Sequence, residues 1–68
     1  MVEIGQKYRV KPVFAGSGAV VSNAQKGTVV YIHPQGHYAT LEFEGVHGKP
    51  REAFYLDQLT GQNKVRGT

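Results

Sequence analysis

Cysteine and tryptophan are missing from this sequence, and methionine occurs once. Without a thiol there is no disulfide framework, no cysteine-ligated zinc site, no thiol nucleophile and no redox function. The core must therefore hold by apolar packing alone or borrow a partner's surface. Long apolar runs are missing too: nothing approaches the ~20 residues that span a bilayer. The N-terminus lacks the charged region and apolar run of a secretory signal. The expectation is a cytoplasmic protein with no membrane segment.

Chain length is also in short supply. A chain of 68 residues buries only about 60% of the surface its unfolded form exposes, which leaves one core and no deep catalytic cleft. Acidic residues are few, five against eight Lys+Arg, giving a net charge of +3 and a pI near 9.5. That passes the basic threshold of a nucleic-acid binder but is far from histone-like density, and net charge by itself says little about a partner.

What the chain does have is punctuation. Nine glycines and three prolines separate short runs rich in Val, Ile, Tyr, Phe and Thr, the composition of strands. No segment sustains the apolar period of an amphipathic helix. In Lys7 to Phe14, "KYRVKPVF", Tyr8, Val10 and Pro12 alternate with Lys7, Arg9 and Lys11, so one face is apolar and the other cationic. Pro12 cannot donate to a ladder and marks an edge or a bend.

Ala15 to Gln25, "AGSGAVVSNAQ", reads as a long loop anchored by Val20 and Val21, and loops of this length often bind something. Lys26 to His33 is the strongest strand segment. Tyr38 to Glu44, "YATLEFE", sets Ala39, Leu41 and Phe43 on one face and Tyr38, Thr40, Glu42 and Glu44 on the other. After the turn Gly45 to Pro50, Arg51 to Tyr55 forms a fourth strand with Phe54 inward, and Leu56 to Leu59 one helical turn. From Thr60 the chain either adds a last short strand or frays, and the basic segment 61–68 is expected to be a flexible tail on a single domain covering 1–60.

Four or five short strands, a long first loop and one late turn predict an all-β, SH3-like barrel: small, strongly bent, five-stranded and partly open, with its helical turn near residues 56–59. Closing a sheet on itself limits the exposed edges of a tiny β domain.

In "HPQGH", His33 and His37 have the i, i+4 spacing of a zincin helix. Pro34 and Gly36 argue instead for a hairpin connection, with proline supplying the turn's φ and glycine a positive φ at a bulge. The histidines then flank the turn on neighbouring strands. A stable zinc site needs three or four protein ligands, and the only further imidazole is His47 in another turn. No metal or other cofactor is expected.

The runs "IGQKYRV" (Ile4 to Val10), "KGTVVYI" (Lys26 to Ile32) and "ATLEFE" (Ala39 to Glu44) resemble the KOW and SH3-like barrel pattern, in which G-x-x-[VY]-[KR]-V is followed by G-x-V-x-x-I and then a V-x-F strand. The likeness covers most of residues 4–59. The stretch from "KGTVVYIHPQGHYATLEFEG" to "REAFYLDQL" also resembles small barrel proteins of phages and mobile elements of Gram-positive bacteria, which implies a fold and no particular activity. KOW-type barrels commonly bind RNA or ribosomal and transcription proteins, while other SH3-like barrels bind peptides or serve as subunits. One relative, the plasmid-borne type II dihydrofolate reductase, is an enzyme built as a tetramer around one pore with a V-Q-I-Y strand. Here that place reads "AFYL" (Ala53 to Leu56), without the ligand-contacting glutamine.

The leading expectation is a barrel that binds RNA or DNA with low sequence specificity. Lys7, Arg9 and Lys11 on the first strand would contact phosphates, and Lys26, Lys49 and Arg51 would extend that surface. Tyr31, His33, His37 and Tyr38 would supply stacking faces around one hairpin. The bland reading sets Tyr31 in the core and the cations on a solubilising strand face that blunts edge pairing. A second class of function is a protein-interaction module or inhibitor docking on a host or phage protein through the Ala15 to Gln25 loop and exposed aromatics, a reading that Glu42 and Glu44 favour because carboxylates repel phosphate. An oligomeric enzyme subunit comes third, since no spacing places a nucleophile beside a base. The chain is expected to act without catalysis, as a monomer or small homo-oligomer.

Overall fold

The computed structural model describes residues 2–12, 24–45 and 48–66. Strands β1 (Lys7–Val10), β2 (Gln25–Ile32), β3 (Tyr38–Phe43) and β4 (Arg51–Tyr55) are followed by a single 3-10 turn, η1 (Leu56–Gln58). The four strands form one antiparallel sheet in the order β1-β2-β3-β4. The protein is thus all-β, as its composition predicts.

The period-2 pattern decides which face is buried. Along β3, Ala39, Leu41 and Phe43 are buried and the residues between them only half-buried. Tyr8 and Val10 from β1, Val29 from β2, Phe54 from β4 and Leu59 after η1 complete the core. Each large side chain so removed from water contributes about 1.5–3 kcal/mol of transfer free energy. Phe43 and Phe54 meet edge to face, with ring centroids 6.1 Å apart.

A β-bulge in β2 sets the outward face. Val29 is opposite Leu41 but Tyr31 is opposite Thr40, so Val30 is an extra residue in the ladder. One inserted residue reverses the in-out parity of everything after it. In an unbroken strand Tyr31 would share the buried face of Val29; with the bulge it is 44% exposed, and Ile32 turns inward opposite Ala39. The core placement of Tyr31 is thereby excluded. The chain before β1 reinforces the irregularity, because Gly5 N–H donates to Val29 O (2.9 Å) and Val29 N–H to Gln6 O (2.8 Å).

Several boundaries differ from the sequence expectation. β1 ends at Val10 rather than Phe14; Pro12 has no N–H to continue a ladder, and residues 13 and 14 lie outside the described residues. Most of the expected loop 15–25 also falls outside them, and Gln25 already belongs to β2. Beyond η1, Arg9 N–H donates to Asn63 O (2.7 Å) and Val65 N–H to Lys7 O (2.8 Å), around an antiparallel bridge between Lys64 and Tyr8. The segment after Thr60 thus adds one bridge to the outer side of β1, and among the described residues the sheet has four strands rather than the expected five. Among the described residues no helix is long and apolar enough to cross a membrane.

Candidate nucleic-acid interface

Register and pleat together fix what the outward face of the sheet carries. Lys7 is opposite Thr28 and Arg9 opposite Lys26; Thr28 is opposite Glu42 and Tyr31 opposite Thr40; Glu42 is opposite Arg51, Thr40 opposite Ala53 and Tyr38 opposite Tyr55. Cations therefore gather toward the end of the sheet away from the β2–β3 turn, and the aromatic rings toward the end at that turn.

Arg9 and Lys26 form a directly opposed pair of like charges. Side chains so placed stand about 4.5–5.5 Å apart at Cβ and repel one another. Both residues are exposed, and among the described residues neither joins an ion pair. An anion seated between them would relieve the repulsion. Lys7 lies one pleat along on the same face.

The other predicted cations are engaged or offset. Arg51 Nη2 lies 2.8 Å from Glu42 Oε2, and its Nε donates to the same oxygen at 2.9 Å. Lys49 lies 3.8 Å from Glu44 in the turn between β3 and β4. Lys11 is exposed beyond the end of β1. The expected ten-residue surface thus divides: Lys7, Arg9 and Lys26 converge, Arg51 shares their face but is held by a carboxylate, and Lys11 and Lys49 lie outside the strands.

The aromatic end is built by the β2–β3 hairpin. Gly36 N–H donates to His33 O (2.8 Å) and His33 N–H to Tyr38 O (2.9 Å), which closes a turn over Pro34 and Gln35. Gly36 has φ +74°, a conformation an L side chain rarely takes and glycine takes freely. The hairpin reading of HPQGH therefore holds, and a helix is excluded. The turn sets the His33 ring 4.9 Å from the rings of both His37 and Tyr38, while Tyr31 and Tyr38 are 6.2 Å apart. All four predicted aromatic groups form one cluster.

Hydrogen bonds fix the imidazoles. Gln35 N–H donates to His33 Nδ1 (3.1 Å), and Gln35 Oε1 lies 3.1 Å from His37 Nε2, which a protonated Nε2 satisfies. Among the described residues no cluster of three metal-ligating side chains forms, and His47 lies outside them.

Tyr55, 70% exposed, and Gln58 were absent from the sequence-based set. The signal for Tyr55 was present: once Phe54 is taken as inward, its neighbour must face outward. Gln58 gives no such signal, because a 3-10 turn brings it beside β4. With Tyr38, Ala53 and Phe54 they line a surface depression of about 270 Å³.

Compared with protein-family models, curated proteins and solved structures, the chain matches none.

Proposed function

We propose that this protein is an SH3-like barrel that binds single-stranded RNA or DNA with low sequence specificity across the outward face of its sheet. The observation that carries this reading is the joint presence on one face of the opposed Arg9–Lys26 pair and the Tyr31–Tyr38 cluster. Phosphates sit at the cationic end, where each one neutralised releases counterions and makes binding salt-dependent. Bases stack at the aromatic end, each contributing about 1–3 kcal/mol. A single strand suits this surface better than a duplex, whose bases are already stacked on one another. The SH3-like description is supported by the late 3-10 turn and by the return of the chain to β1 at Lys64. It acts as a binding protein in the cytoplasm, without a cofactor, as a monomer or small homo-oligomer.

A protein-docking module is the second reading, favoured by the 61% exposure of Ile4, an apolar side chain for which phosphate has no use. The test is an amide NMR titration of labelled protein with a mixed RNA and DNA oligonucleotide pool at low and physiological salt. Shifts at Lys7, Arg9, Lys26 and the Tyr31 to Tyr38 hairpin that fade as salt rises are expected. Unchanged spectra at low salt would overturn the nucleic-acid reading and favour a protein partner.

A further inference from the structure

Resting on that reading, we infer that the depression between Tyr38, Tyr55 and Gln58 is a subsite for one unpaired nucleobase, and that Gln58 reads the base by donating a hydrogen bond to a ring carbonyl. Tyr38 and Tyr55 are directly opposed across β3 and β4, and both line the same depression. At about 270 Å³ it falls just under the range of about 300–1,000 Å³ that holds drug-sized ligands, a size suited to a single flat heterocycle. It is continuous with the aromatic cluster through Tyr38, whose ring also meets His33 and Tyr31. A strand stacked on the hairpin reaches it without crossing the sheet.

The polarity of Gln58 follows from how η1 is held. Its Oε1 accepts the backbone N–H of Tyr55 at 2.8 Å, while its backbone carbonyl accepts from Asn63 Nδ2 at 2.7 Å and holds the turn. The amide is thereby fixed, with the oxygen turned to the backbone and both Nε2 hydrogens left to donate. A donor there favours a base with a carbonyl where its competitor has an amino group. Thymine and cytosine differ in this way, O4 against N4–H₂, and share the O2 acceptor.

The experiment measures binding of oligothymidylate and oligodeoxycytidylate of equal length to the full chain, at fixed low salt, for wild type, Tyr55→Ala and Gln58→Glu. Glutamate keeps an oxygen for the Tyr55 N–H but replaces the donors with an acceptor. Wild type is expected to bind the thymine strand about 2- to 10-fold tighter, the worth of one hydrogen bond. In Gln58→Glu the ratio is expected to invert, whatever the added charge does to both affinities, and the different self-stacking of the two strands cancels in that comparison. Tyr55→Ala is expected to weaken thymine binding about 5- to 150-fold.

Equal, salt-dependent binding of both strands by all three proteins would overturn the subsite and leave the sheet-face reading standing. Loss of affinity in Tyr55→Ala with a flat ratio in wild type and Gln58→Glu would overturn base reading by Gln58. No binding of either strand at low salt would overturn the sheet-face reading and the subsite with it.

Discussion

The ring of Phe43 occupies the space where a side chain on Gly27 would stand. The two residues are directly opposed across β2 and β3, and a Cβ at Gly27 would come within 2.6 Å of the Phe43 ring and 3.1 Å of Leu41 Cβ. Phe43 is 2% exposed and fixed within the core. Gly27→Ala is therefore expected to destabilise the fold by about 1–3 kcal/mol through overpacking, read as a lower urea midpoint with an unchanged m-value. A midpoint equal to wild type would mean that the sheet opens easily at this pair.

The opposed Arg9 and Lys26, with Lys7 beside them, set the salt dependence of oligonucleotide binding. Replacing all three by glutamine is expected to reduce the slope of log K against log salt by about 0.7 for each phosphate no longer neutralised, about 2 in all. Fluorescence anisotropy over a salt series measures it. An unchanged slope would show that phosphate sits elsewhere.

Glu42 restrains Arg51 on the same face. Both side chains are partly exposed, 24% and 61% respectively, so the pair contributes at most about 1 kcal/mol to stability. Glu42→Gln removes a negative charge and frees the guanidinium. It is expected to tighten oligonucleotide binding and steepen the salt slope by about 0.7, the effect of neutralising one more phosphate on a single strand. Weaker binding would show that the carboxylate positions Arg51 for its phosphate.

Tyr8 titrates against the fold. Burial, with the Glu3 carboxylate adding to it, holds its phenol above the ordinary value, while its hydroxyl donates to Gln6 Oε1 at 3.0 Å. The folded state thus keeps this proton more tightly than the unfolded chain. The associated stability is complete below the unfolded value of about 10 and is lost as pH rises through the higher folded value. Urea midpoints of Tyr8→Phe are expected to fall less steeply than wild type above about pH 10. Parallel curves would remove Tyr8 as a source of alkaline sensitivity.

Strand positions were legible wherever alternation was strict. Ala39, Leu41 and Phe43 read as one buried face and are one; Arg51 to Tyr55 carries the expected bounds; and Pro34 with Gly36 announced the hairpin that clusters His33, His37 and Tyr38. Tyr31 was not legible, because "VVYI" alternates equally well in either phase, and only the bulge at Val30 chooses between them.

By itself the sequence determined the all-β class, the buried residues of β3 and the turn at Gly36, since these follow from side-chain period and backbone φ, properties of a residue and its immediate neighbours. The tertiary structure decided that Arg9 faces Lys26, that Glu42 engages Arg51 and that Gln58 comes beside Tyr38. Those relations depend on register between strands distant in sequence, and register is set by the bulge and by the fit of Phe43 over Gly27, which no local pattern encodes.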